Sequence, residues 1–392
     1  MGNPLAYLEH ELADLKERGL YRWPRLLESP QEPVARYDGR EVINLCSNNY
    51  LALATHPRLK ELARRAIDEL GVGSGAVRTI AGNMAIHRQV ETELARFKFT
   101  EATLLYQSGF TANAGTAAAI LGKDDIIVSD ELNHASIIDG ARLSGAQKKI
   151  YPHKDVQAAR RLLQESRGAR HLLLITDGVF SMDGDIAPLP DLVALAEAFG
   201  AIMMVDDAHA SGVLGRAGRG TIDHFNLHGR VHIQVGTLSK AFACQGGYVA
   251  GSQVLIDYLI HRARPLLFST SHPPSVAATA LGAVRLVQEQ PEIIERLWEN
   301  TRFFKRGLTQ LGFDTGASET PITPVIVGEE RLAMELSDRL FEAGVFALGI
   351  AFPTVPRGKA RVRTIVTAGH TKTHLQQALD AFERVGLQLK LI

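Results

Sequence analysis

Lys240 closes the segment Gly236-Thr-Leu-Ser-Lys240-Ala, and small apolar residues follow it through Ala243 to Gly246-Gly247. Such surroundings lower an amine's pKa and favour it as a nucleophile. A second cluster, Asp206, Asp207 and His209, ends the apolar run 201–205. A strand there would release these side chains at the carboxyl edge of a sheet, where open α/β sheets bind ligands. A helix cap and a surface histidine would account for one acid, but two acids with a histidine exceed that need. Third, Tyr106-Gln107-Ser108-Gly109-Phe110-Thr111 follows another apolar run and opens a helical pattern. The first N–H groups of such a helix bind phosphate, although Ser108 taken alone is an ordinary N-cap. A nucleophilic amine, an acid for a heterocyclic nitrogen and an anion-binding helix start are together what pyridoxal 5′-phosphate (PLP) chemistry requires.

The elements that must position these groups are legible in the periodicity. Short apolar runs at 102–106, 125–129, 171–176, 201–206, 232–236 and 247–250 alternate with helical patterns at 58–70, 86–97, 135–143, 156–165 and 192–199. That alternation predicts an α/β domain with a mostly parallel sheet flanked by helices. A helical stretch follows over 274–311, interrupted at Gln290-Pro291, because proline disfavours helix in the residue before it. The tail reads strand (324–327), helix (330–343), strand (345–350), strand (360–366), helix (373–385), a smaller α+β lobe. Ahead of all this lie an amphipathic helix over 1–20, a proline-punctuated connection and a strand over 41–46. The chain therefore divides into an N-terminal segment (1–46), a large cofactor-binding domain (47–285) and a C-terminal domain (286–392).

Other chemistries are disfavoured. Gly71-Val-Gly73-Ser-Gly75-Ala76 matches a dinucleotide fingerprint in spacing, but a helical pattern precedes it where that fingerprint needs a strand. Lys+Arg and Asp+Glu both number 43, with no basic block, so no nucleic-acid partner is expected. No apolar run is long enough to span a bilayer. The first residues carry Glu9, Glu11, Asp14 and Glu17 rather than the basic start of a signal peptide. Cys46 and Cys244 stand alone, without zinc or disulfide spacing, so the expectation is a cytoplasmic protein without a metal.

Longer motifs carry a resemblance. They are Cys46-Ser-Asn-Asn-Tyr50-Leu, Ser129-Asp-Glu-Leu-Asn-His134-Ala-Ser-Ile-Ile-Asp139, Thr176-Asp-Gly-Val-Phe-Ser181-Met-Asp-Gly184-Asp, Val205-Asp-Asp-Ala-His209, Gly236-Thr-Leu-Ser-Lys240 and Phe352-Pro-Thr-Val-Pro356-Arg-Gly. From about Leu15 to the C-terminus the chain resembles the α-oxoamine synthases, PLP-dependent transferases of fold type I. The resemblance implies that Lys240 carries PLP as a Schiff base and moves the proton at the substrate Cα. Asp206 pairs with the pyridine nitrogen, His209 bonds the ring hydroxyl, and His134 stacks on the ring. Gly109, Phe110 and Thr237 hold the phosphate, and Ser181 lies near the cofactor. Phe268-Ser269-Thr270-Ser271 matches a segment that reaches the phosphate of a second subunit, so Thr270 and an obligate homodimer are implied.

For the amino acid, Asn48 and Arg363 match positions that hold its carboxylate. Arg361 is two residues away on the same predicted strand and points the same way. Only the resemblance selects Arg363. Arg78 matches an arginine common in glycine-using members, whereas Asn83 stands where those members carry threonine, and Ala52 where the family carries glycine. The expectation is condensation of glycine with acetyl-CoA, as in glycine C-acetyltransferases of threonine catabolism. The alternative is decarboxylative condensation of L-alanine with a pimeloyl thioester, as in the 8-amino-7-oxononanoate synthases of biotin biosynthesis.

Overall fold

The computed structural model describes residues 3–17, 19 and 21–392. Its strands, in chain order, are β1 (Val34–Tyr37), β2 (Arg40–Asn44), β3 (Ala102–Tyr106), β4 (Ile126–Asp130), β5 (Gln147–Tyr151), β6 (Leu172–Asp177), β7 (Ile202–Asp206), β8 (Ile233–Thr237), β9 (Gly247–Gly251), β10 (Ile322–Gly328), β11 (Val345–Phe346), β12 (Leu348–Ile350) and β13 (Ala360–Ile365). The first five helices are α1 (Tyr7–Glu17), α2 (Pro57–Leu70), α3 (Ala85–Lys98), α4 (Gly109–Ile120) and α5 (Ala135–Ser144).

Seven strands form one sheet in the order β3-β9-β8-β7-β6-β4-β5. β9 runs antiparallel to both its neighbours and the remaining pairs are parallel. Every residue of β3, β6, β8 and β9 is buried, which is why these strands read as unbroken apolar runs rather than alternating ones. Helices cover both faces, and their apolar stripes join the sheet in separate clusters. One cluster unites Val90 and Leu94 of α3 with Val284 and Leu286, and another unites Ala112 of α4 with Ile137 of α5. β5 escapes the sequence reading because it is an edge strand, Gln-Lys-Lys-Ile-Tyr, with most residues exposed. Lysines at an edge discourage pairing with other chains.

The proline break holds to the residue. One helix is Pro274–Glu289 and the next Glu292–Gln310. The predicted strand over 345–350 is instead two strands in two sheets, split at Ala347. β11 runs parallel to β2, while β12 joins β10 and β13. The sequence reading sets residues 1–46 apart, whereas the pairing of β2 with β11 joins residues 34–44 to the C-terminal lobe. The helix predicted over 1–20 is observed as α1, which buries no residue. Met1, Gly2, Arg18 and Leu20 lie outside the described residues. Among the described residues no helix is long and apolar enough to cross a membrane.

Candidate active site

The carboxyl ends of β4, β6, β7 and β8 meet at one edge of the large sheet. Register sets Asp177 beside Asp206, Asp206 beside Val235, and Thr237 beside Gly247. A cavity of about 210 Å³ opens there, and its lining includes Gly109, Phe110, His134, Ser181, Asp206, His209, Thr237 and Lys240. Those eight residues, spread over more than 130 positions of sequence, were each expected at a cofactor site.

The Lys240 amine is held down to about 8, chiefly by burial, with Asp206 and Asp177 opposing and Arg363 adding to the effect. An amine so tuned is partly unprotonated near neutral pH and able to act as a nucleophile or base. Asp206 is 3% exposed. Its Oδ1 accepts from the Ala208 N–H at 2.8 Å and its Oδ2 from Asn113 Nδ2 at 2.6 Å. The Tyr50 hydroxyl lies 2.8 Å from His209 Nδ1. Burial, then the charges of Lys240 and Arg363, keep His209 well below the usual histidine range, so it is neutral. His134 is also pushed down by burial, against the pull of Asp206.

The α4 N-terminus supplies the anion-binding end. Ser108 caps it by accepting from the Thr111 N–H at 3.1 Å, while Gly109 and Phe110 present first-turn N–H groups that no helix satisfies internally. A Cβ on Gly109 would stand 3.2 Å from Thr237 Cβ, so glycine is what lets the backbone lie this close to β8. The Thr237 hydroxyl lies 2.8 Å from that of Ser239, another residue of the lining.

Structure separates the two arginines of β13. Arg361 is engaged with Asp183, the Met182 carbonyl and the Lys359 carbonyl. Arg363 Nη2 has only a long 3.4 Å bond to Asn48 Oδ1, and its buried Nε has no partner among the described residues. A buried guanidinium with unused donors awaits an acceptor. Of the expected site residues, Asn48, Arg78, Arg363 and Thr270 do not line the cavity. Arg78 is bound in bidentate fashion to buried Glu91, at 2.9 and 3.1 Å, and also donates to Asn83. It has no free fork for a substrate within this chain. Thr270 bridges to Val77 and accepts from Gln107 Nε2 through its carbonyl.

Sequence reasoning missed four groups of the site: Asp177, Asn113, Ser136 and Tyr50. For Asp177 a signal existed, since a second apolar run ends in an acid at the same sheet edge as Asp206. It accepts from the His134 backbone N–H at 2.8 Å, and burial followed by the Asp206 charge pushes its carboxyl well up. The other three are ordinary helix or loop residues until tertiary contacts aim them inward. A second cavity of about 500 Å³ shares His134 and Ser181 with the first and is lined by Ile138, Phe180, Met182, Phe352 and Val355.

The aminotransferase class I and II family model matches residues 40–382. The chain is 62% identical to the 8-amino-7-oxononanoate synthase of Symbiobacterium thermophilum over 98% of its own length and 99% of the relative's. It is 54% identical to 8-amino-7-oxononanoate synthase 1 of Bacillus subtilis over the whole of both chains. The serine palmitoyltransferase of S. paucimobilis, solved with a bound PLP–myriocin aldimine, superposes with a TM-score of 0.94 at 30% identity, covering 99% of this chain and 98% of that one. The chain is an α-oxoamine synthase of the class I and II aminotransferase family. It is accordingly a PLP-dependent enzyme of fold type I. The α-oxoamine synthase cavity fits that cofactor on its own terms, with a depressed amine, a fixed carboxylate and a glycine-bared helix start converging on one space.

Proposed function

We propose that the protein condenses L-alanine with a pimeloyl thioester, releasing the thiol and CO2 and forming 8-amino-7-oxononanoate. The observation that carries this reading is identity of 54–62% along essentially the whole chain to enzymes of that name. The glycine C-acetyltransferase reading rested on Arg78, and that guanidinium is engaged by Glu91 and Asn83. The relatives favour the alternative. The apolar 500 Å³ cavity beside His134 also suits an acyl group longer than acetyl.

Lys240 would hold PLP and move the proton at the amino acid's Cα, a role its lowered pKa suits. PLP, when bound, supplies an electron sink for the pair left on Cα. Asp206, anchored by Asn113 and Ala208, would pair with the ring nitrogen. His209, held by Tyr50, and Ser181 would meet the ring hydroxyl, with His134 against the ring face. Gly109 and Phe110 N–H groups with the Thr237 hydroxyl would hold the phosphate. Arg363 and Asn48 would orient the amino acid's carboxylate.

A homodimer completes this reading. Ile80 and Phe268, 84% and 71% exposed, stand within three residues of the bridged pair Val77 and Thr270 and offer apolar surface to a second copy, whose phosphate Thr270 would reach. Cys46 and Cys244 are free thiols, in keeping with the cytoplasm. The test is thiol release by the PLP-loaded protein, with L-alanine plus pimeloyl-CoA set against glycine plus acetyl-CoA. Turnover with the first pair is expected, and turnover with the second pair alone would overturn the reading.

A further inference from the structure

Asn113 sits on the inner face of α4, 1% exposed, where α4 and α5 approach closely. Gly140 allows that approach, since a Cβ there would stand 2.9 Å from the Asn113 carbonyl oxygen. The contact brings Asn113 against Ser136, also 1% exposed, and against the carboxylate of Asp206. Asn113 Nδ2 donates to Asp206 Oδ2 at 2.6 Å and to Ser136 Oγ at 2.9 Å, which uses both amide hydrogens. The opposite amide orientation would set Oδ1 against the carboxylate at the same short distance, acceptor against acceptor, so the orientation is dictated.

Direction then propagates. Ser136 Oγ accepts from Asn113, and its own hydrogen is left to donate to His134 Nδ1, 2.8 Å away. The Ser136 backbone N–H also points at Nδ1, at 3.2 Å. Two donors converge on Nδ1, so the ring proton must reside on Nε2. We propose that Asn113 is a positioning residue whose one carboxamide both anchors the Asp206 carboxylate and, through Ser136, holds His134 in the neutral Nε2–H form. The charged groups facing this ring are Asp206, Lys240 and, through the His134 backbone, Asp177. Burial of the imidazole acts in the same direction as the relay. Two sides of the cofactor cavity are thereby linked by side chains that need not touch the cofactor.

This rests on the cofactor cavity and is independent of which amino acid or thioester is used. The experiment therefore needs no substrate. In the PLP-loaded protein labelled with ¹⁵N-histidine, the His134 ring signals are assigned by their loss in His134→Asn, and the visible band of bound PLP is titrated with pH. In the parent protein, Nδ1 is expected at the unprotonated position. Asn113→Ala should shift the PLP band midpoint by about one pH unit, because the acid loses a charge-assisted donor, and should move protonation towards Nδ1. Ser136→Ala should alter the His134 signals while leaving the band midpoint in place, and Ser136→Thr, which keeps the hydroxyl, should restore them. His134 signals unchanged in both Asn113→Ala and Ser136→Ala would overturn the relay. So would a band midpoint unmoved in Asn113→Ala. If Asn113→Ala fails to fold, the Ser136 pair still decides the arm to His134.

Discussion

Asp206 and Asp207 follow one another at the end of β7, yet they enter two different polar clusters. Asp206 lines the cavity and has unused capacity around it: Asn113 Oδ1 has no partner among the described residues, nor has Nε of Arg363, which lies outside the lining but acts through its charge on Lys240 and His209. Asp207 faces the other way and is fully buried. Lys98 Nζ donates to it at 3.0 Å and the Thr221 hydroxyl at 2.5 Å, and Lys98 also reaches the Arg219 carbonyl. The second cluster is closed on itself. A buried polar cluster that is fully paired holds structure together, whereas one with spare donors and acceptors is built around something else.

Four substitutions and one titration can break or sharpen that contrast, and a fifth substitution tests the backbone beside it. The largest effect belongs to Lys240→Ala, which should lower thiol release by at least about 10³-fold. With PLP removed, its thermal midpoint should match or exceed that of the parent, because a buried amine with a depressed pKa is a destabilising group. A large loss of stability would erase the distinction between the clusters. Lys98→Met should do the reverse. It leaves Asp207 buried without its cation and should cost about 3–5 kcal/mol in denaturant unfolding, with unchanged turnover per folded molecule.

Next come the β13 arginines. Arg363→Gln should raise KM for the amino acid by about 10- to 100-fold, the loss of a charge-assisted pair. Arg361→Gln should instead lower stability and leave KM in place. Stability against pH gives a smaller signal with opposed slopes. Between about 8 and the usual lysine value of about 10.4, the PLP-free folded state holds fewer protons on Lys240 than the unfolded chain. Stability should therefore gain with pH across that window in the parent and not in Lys240→Ala. His153, in spite of burial, is pushed up to about 9 by Asp130 and Asp185. Its contribution is complete below about 6.5 and is lost as pH rises through about 9. Thermal midpoints from pH 6 to 11 would resolve both.

The smallest effect concerns Ala52, which stands at φ +57°, a left-handed conformation that glycine adopts freely. The glycine that the resemblance leads one to expect at this position would answer a backbone demand. Ala52→Gly should stabilise by about 0.5 kcal/mol, the relief of strain offset in part by greater freedom of the unfolded chain. Denaturant midpoints would show it.

Much of the molecule was legible before its structure. The strands bearing Asp206 and Thr237 are buried apolar runs, and Gln290-Pro291 breaks a helix for a local steric reason. What escaped depends on neighbours. β5 is polar because it is an edge, and the run 345–350 looks continuous although its halves join different sheets. By itself the sequence determined which chemistry is possible: an amine in small apolar surroundings, acids at strand ends, a serine-capped helix start and, through long motifs, the family. The tertiary structure alone decided between like residues. It turned Asp206 to the cavity and Asp207 to Lys98, engaged Arg361 and left Arg363 open, and brought Asn113 of α4 to Ser136 of α5. The partners that decide between these like residues lie tens to hundreds of positions away, and local sequence carries no record of them.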